Sequence, residues 1–195
     1  MLSVSASLLN SWAYIWEAYN EDYALKAKEE LIDRIKGKPF ERTEAMQRGI
    51  DFEELAVAGQ VPEISPIIAG GQHQVWATRI IEVDGIKVQL RGFLDTLKAG
   101  VIYDIKRTGQ YEYPKYRTSY QHHIYFLLVP TAKRFEYLVG SGTTKEAYNK
   151  YVYFHREVYY NDGTSEQIIK NAIRGFWEWL KLHDVWEDYV KNFTR

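Results

Sequence analysis

Residues 75–106 hold three β-patterned runs joined by two tight turns, and this constrains the fold more than any other stretch of the chain. The run 75–83 is rich in β-branched residues and ends at Asp84-Gly85, a pair suited to a two-residue hairpin. The run 86–97 then alternates, with Ile86, Val88 and Leu90 on one face and Lys87, Gln89 and Arg91 on the other. Lys98-Ala99-Gly100 turns the chain into a third strand at 101–106. A meander of three strands is therefore expected.

Helical periods surround it. Ser5 or Ser7 can cap a helix carrying Leu8, Leu9, Trp12, Ile15 and Trp16, and the pattern continues to about Ile35 before Gly37 and Pro39. Thr43 can cap a second helix ending near Gly59. Beyond the meander the reading is a helix over 116–128, strands at 134–139 and 151–160, and one long helix with Ile169, Ala172, Ile173, Phe176 and Leu180 at helical spacing. With 195 residues, no repeat and no linker, the expectation is a single α/β domain, a mixed central sheet flanked by helices. Its parts are a helical 1–60, a sheet core at 74–160 and a C-terminal helix at 165–194.

Composition removes some chemistries. The chain has no cysteine, which excludes disulfides, thiolate zinc, iron–sulfur clusters and a cysteine nucleophile. A reducing cytoplasm, that of a bacterium or a phage-infected host cell, is the expected location. The apolar start lacks a basic flank and reads as a helix of the mature protein, and no run reaches the roughly 20 residues that span a bilayer. A net charge of −1 neither favours nor opposes a polyanionic partner.

The meander also carries the sharpest chemical signal. In Tyr103-Asp104-Ile105-Lys106 the period of two turns Asp104 and Lys106 to one face and Tyr103 and Ile105 to the other. If the second and third strands pair, Asp95 and Asp104 lie close together at the sheet rim. Neighbouring carboxylates raise each other's pKa unless a cation stands between them, and the natural cation for oxygen ligands is Mg²⁺ or Mn²⁺. Lys106 beside them can hold or help deprotonate an attacking water and offset charge on a phosphate. The competing reading is a solvated strand with an exposed Asp104–Lys106 ion pair of little energetic consequence. On the helix after Thr43, Met46, Gly49, Ile50, Ala56 and Val57 form an apolar stripe with Glu53 in its middle. A carboxylate there is costly unless paired or bound to a cation, whereas at the stripe's edge it would reach water. Gln121 and Tyr125 fall on one face of a later helix.

The order of these features resembles the RecB and lambda-exonuclease branch of the PD-(D/E)XK nuclease superfamily. The helical G-x-x-x-E of that family matches Gly49 and Glu53, its first strand acid matches Asp95, and its core pair matches Asp104 and Lys106. The trailing Q-x-x-x-Y matches Gln121 and Tyr125, and SASLLNSW resembles the family's opening helix. The resemblance implies a restriction-endonuclease-like core and a phosphodiester hydrolase acting on DNA, with Mg²⁺ or Mn²⁺ held by Glu53, Asp95, Asp104 and the carbonyl of Ile105. Some members place an extra histidine ligand on the early helix. Here no histidine precedes Glu53 on that helix, and His73 is the nearest candidate. His122, His123, His155 and His183 lack ligand spacing and read as surface or satisfied core residues.

Arg107, Tyr111, Tyr113, Lys115 and Arg117 follow the core pair as a basic, aromatic stretch that can grip phosphates and stack bases, or that is merely solvated. Trp177, Trp179 and Trp186 spread around the last helix and suggest core plus a contact with a second copy or with a recombination or replication protein. An exonuclease of recombination or repair is the leading expectation. The rivals are an endonuclease on the same fold and a silent nucleic-acid-binding protein.

Overall fold

The computed structural model describes residues 1–194. Its elements run β1 (Leu2–Ser5), α1 (Ala6–Glu17), α2 (Glu21–Ile35), α3 (Glu44–Val57), α4 (Ser65–Ile68), β2 (Gln72–Val83), β3 (Ile86–Lys98), β4 (Val101–Thr108), α5 (Tyr120–Leu128), β5 (Arg134–Ser141), β6 (Tyr153–Tyr160), α6 (Ser165–Leu182) and α7 (Trp186–Phe193). The meander is β2–β3–β4, with Asp84 and Ala99 in left-handed conformations at its two turns (φ 51° and 49°).

Several expected boundaries move, each for a local reason. The chain starts with a strand, and the long first helix is two helices. Asn20 adopts an extended conformation and its side-chain oxygen accepts from Tyr23 N (3.0 Å), so a new N-cap interrupts the helical period. Ser5 and Thr43 cap α1 and α3 in the same way, accepting from Leu8 N (3.3 Å) and Met46 N (3.2 Å), each worth about 1 kcal/mol. The helix expected over 116–128 begins only at Tyr120, because residues 115–118 form a turn closed by Ser119 N–H on the Tyr116 carbonyl (3.1 Å) and Ser119 is an extended N-cap. The last helix breaks at Asp184, whose φ of 55° no helix can hold, and α7 folds back. That return buries Trp177 and Trp179, and Trp186 packs on Trp177 with ring centroids 5.8 Å apart. Trp177 and Trp179 thus supply the core part of the reading, and Trp186 stays half-buried at its edge.

The topology positions the site. β2 covers one edge of β3 in antiparallel register from Gln72↔Leu97 to Val83↔Ile86. The other edge is divided. β1 pairs with it in parallel at residues 88–91, and β4 pairs antiparallel at residues 96–98. Among the described residues, positions 92–95 therefore face no strand on that side. β4 continues parallel to β5, and β5 antiparallel to β6. Ile102 of β4 joins Leu94, Phe135 and the residues of α1, α5 and α6 in one core, while Tyr103, Ile105 and Leu138 pack with Phe52 and Ala56 of α3 in a second. The sheet thus has helices on both faces, as the α/β reading requires.

Candidate active site

The site is built where β3 and β4 part. Had the ladder continued past Thr96↔Tyr103, Asp95 would face Asp104 and backbone groups would bond across. Side chains take those bonds instead. The Asp95 Oδ2 accepts the Ile105 N–H (2.8 Å), and the Tyr125 hydroxyl donates to the Phe93 carbonyl (2.6 Å). Gly92 opens the gap and must be a glycine, since a Cβ there would stand 2.6 Å from Cε1 of the Tyr125 ring. This is the physical content of the G-x-x-D spacing before Asp95.

Asp104 is fully buried. Gln121 Nε2 donates to its Oδ1, while its Oδ2 has no geometrically sound hydrogen bond and only the Lys106 ammonium beside it at 2.7 Å. Lys106 keeps about a third of its side chain exposed (32%), so the pair is half inside and half at a surface. Burial pushes the Asp104 carboxyl up, against the pull of Lys106. Burial, and then the charge of Asp104, hold Asp95 well above the ordinary carboxylate range. Burial alone would lower the Lys106 ammonium, yet the charges of Asp104 and Asp95 leave it raised. Lys106 is thus a protonated lysine serving two acids.

Glu53 arrives from the other side. The buried face of α3 is Phe52 and Ala56, against Tyr103 and Ile105, while Met46 and Val57 are exposed. The expected stripe is therefore displaced, and Glu53 lies at the flank of the buried face and not in its middle. From there it reaches the rim, where Gln74 Nε2 donates to its Oε1. Burial and, more weakly, the charge of Asp104 raise its pKa. Gln74 falls between the pairs His73↔Thr96 and Val75↔Leu94 of β2 and β3, in the left-handed region (φ 52°), a strained conformation of the kind that collects at working sites. It was not legible beforehand, since a glutamine early in a strand carries no signal.

Other candidates are redistributed. Tyr125 is buried; its hydroxyl donates to the Phe93 carbonyl and lies beside Gln121, so it positions β3 and meets the acids through the residue that holds Asp104. Arg107 does not face outward to grip phosphate. Its guanidinium donates to the carbonyls of Ala147 (2.8 Å), Thr108 (2.7 Å) and Gly142 (2.8 Å) and to the Thr144 hydroxyl (3.0 Å). Tyr111 also turns inward and stacks on His155 with centroids 4.0 Å apart. Tyr113, Lys115 and Arg117 are exposed, on a loop whose backbone is tied down by Glu157 through the N–H groups of Lys115 (2.8 Å) and Tyr116 (3.2 Å). His73 uses a ring nitrogen on Thr96 Oγ1 (2.8 Å). His122 is buried against Tyr159 and Tyr137, and His123, His155 and His183 each have a partner.

A cleft of about 1250 Å³ opens over Lys106, Gln121 and Tyr125 and runs between α1, α2 and the unpaired edge of β3. Arg34 stands in its wall, donating to the Ser7 carbonyl and to the Ser7 and Ser11 hydroxyls, and its pKa is lowered by burial and by the nearby charge of Arg91. Two guanidinia in one wall make this end of the cleft cationic.

The donor set tests well for a hard divalent cation in its chemistry: carboxylates crowded until their pKa values rise, one of them with an oxygen that only an ammonium faces. In position it is not preassembled. Among the described residues no three acidic or imidazole side chains stand grouped as an ion would require, because Lys106, Gln121 and Gln74 lie on the oxygens.

A mixed central sheet with helices on both faces is the restriction-endonuclease-like architecture. Solved exonucleases share it. The alkaline exonuclease LHK-Exo from Laribacter hongkongensis matches at TM-score 0.50 and 16% identity, over 97% of this chain and 91% of that one. LHK-Exo in complex with dAMP matches at 0.53 and 16%, over 92% and 88%. A phage-related exonuclease from Haemophilus somnus 129PT matches at 0.53 and 15%, over 97% and 94%. No family model and no curated protein matches the sequence. At such identities the likeness establishes the fold.

Proposed function

We propose that this chain is a Mg²⁺- or Mn²⁺-dependent deoxyribonuclease that hydrolyses phosphodiester bonds from DNA ends, in recombination or repair. The observation that carries the reading is the unpaired stretch 92–95 of β3. It sets Asp95 and Asp104 directly behind Lys106, whose ammonium lines a cleft that also holds Arg34 and Arg91. The exonuclease neighbours support the same reading through the fold.

Glu53, Asp95, Asp104 and the Ile105 carbonyl would hold the metal, which supplies Lewis acidity at the scissile phosphate and a more acidic water. The protein's own part can be followed residue by residue. Gln121 fixes the rotation of Asp104 and Gln74 that of Glu53, so each carboxylate keeps one oxygen oriented. Lys106, released from Asp104, puts its ammonium at the floor of the cleft, where it orients the attacking water and offsets charge developing on the phosphate. Tyr125 holds the Phe93 carbonyl and so keeps β3 from closing onto β4. Arg34 and Arg91 take the phosphates of the strand further along.

The test is digestion of one plasmid, closed-circular and linearised, with Mg²⁺, with Mn²⁺ and with chelator. Loss of the linear form alone, dependent on metal, is expected. Fragments from the closed circle would make the enzyme an endonuclease, and no cleavage of any DNA would overturn the proposal.

A further inference from the structure

The cleft wall carries an aromatic pair that the hydrolytic chemistry does not use. Trp76 of β2 and Phe93 of β3 face each other in register, with ring centroids 4.5 Å apart and planes tilted by 48°. Cross-strand aromatic pairs ordinarily stabilise a hairpin from a covered face. These two remain 48% and 54% exposed, although each ring has a large apolar surface that packing would normally hide. Both line the same cleft as Lys106 and Gln121. Phe93 is also mechanically tied to the site: its carbonyl is held by Tyr125, and Asp95 lies two residues on. Phe40, 70% exposed, lines the cleft as well.

We propose that Trp76 and Phe93 stack an unpaired nucleobase of the strand whose phosphates enter the cleft, so that the substrate held there is a single-stranded or frayed end. The proposal rests on the nuclease reading above and deepens it. Exposed rings beside Arg34, Arg91 and Lys106 match the two halves of a nucleotide: cations for the phosphate, flat apolar faces for the base. The choice of an unpaired base follows from access. In an intact duplex the flat faces of the bases are covered by their neighbours, and only an edge could meet these rings. In an unpaired strand the base can turn out and lie on them. This site also replaces Tyr111 as the stacking residue, since that ring is already stacked on His155.

The test is binding without turnover, by anisotropy in chelator at low salt. The probes are a 3′-labelled thymidylate oligonucleotide and an abasic oligonucleotide of equal length and charge. Wild type should bind thymidylate about tenfold or more tightly than the abasic strand. Trp76→Ala and Phe93→Ala, made singly, should shrink that preference and leave abasic binding unchanged, whereas Trp76→Tyr should keep it. Thermal melts of all variants identify any that fail to fold, and the tyrosine variant then carries the comparison against wild type on a blunt hairpin duplex, where no ring-dependent preference is expected. Equal binding of the two strands by wild type, or a preference that survives both alanine variants, overturns the stacking proposal while leaving the nuclease reading intact. Failure to bind either strand overturns both.

Discussion

Two groups of buried acids share this sheet and are treated in opposite ways. Glu136 on β5 is fully buried, yet Arg156 donates to both its oxygens (2.6 and 2.7 Å) and Arg134 stands at 2.6 Å. Glu157 on β6 accepts from two backbone N–H groups and from the Tyr159 hydroxyl (2.7 Å). Both are complete. Asp95 and Asp104 share one ammonium between them and repel each other, and their pKa values rise. A carboxylate with all its partners serves the fold, and one left short of positive charge serves something that brings it.

The largest expected difference is catalytic. Asp104→Asn should lower cleavage of linear DNA on the order of 10³-fold, and Lys106→Met on the order of 10²-fold, with the far-ultraviolet spectrum unchanged. Glu157→Gln, isosteric and outside the site, should cut at close to the wild-type rate. An Asp104→Asn protein that cuts as well as wild type would put Asp104 with the structural acids.

Stability should move the opposite way. Glu136→Ala leaves two guanidinia without their acid. Because both are partly exposed they can turn to water, so the loss should be about 2 kcal/mol in chemical denaturation. Metal-free Asp95→Asn should instead melt at or above wild type, because a carboxyl with a raised pKa opposes folding at neutral pH. Mg²⁺ at a hundredfold its Kd should then stabilise wild type by about 2.7 kcal/mol and this variant hardly at all. A lower melting temperature for Asp95→Asn without metal would show that its bond to Ile105 outweighs the repulsion.

A gentler contrast lies in pH. Burial, then the charge of His123, lowers His122 to about 3. The unfolded chain takes up that proton from about pH 6.5 downward and the folded chain does not, so stability is complete above this range and falls as pH drops through it, by at most about 1.4 kcal/mol per unit. The site carboxyls, with raised pKa values, contribute the opposite slope as they protonate. His122→Gln should therefore flatten the acid limb of denaturation curves collected between neutrality and pH 4, and a slope unchanged by the substitution would mean that His122 is not its source.

The smallest effect separates two arginines of one region. Arg117→Ala should reduce the slope of log affinity against log salt by about 1, while Arg107→Ala should leave that slope alone and loosen the turn that its guanidinium ties together. A salt slope that falls for Arg107 would return it to the DNA-binding surface.

Much of this was readable from local pattern. The strands of the meander, both turns, the caps at Ser5 and Thr43 and the shared face of Asp104 and Lys106 follow from period, turn chemistry and hydrogen-bonding side chains within a few residues. The remainder is decided by a competing local cap or by contacts between distant segments. Asn20 is a cap hidden inside a helical period, and the left-handed Asp184 splits the last helix so that α7 folds back. Arg107 carried charge in a basic stretch, but carbonyls from residues 142 and 147 consumed it.

By itself the sequence determined the strands and turns of the meander, the caps at Ser5 and Thr43 and the shared face of Asp104 and Lys106, because these depend on a period of two and on capping within one turn. Tertiary structure alone decided that β1 and β4 share one edge of β3 and leave residues 92–95 between them. That gap lets Asp95 and Tyr125 take the place of a ladder, brings Gln74 and Glu53 to the rim, and leaves Trp76 and Phe93 uncovered. Strand pairing between segments far apart in the chain is set by which edges remain free once the rest has packed. No local period encodes that.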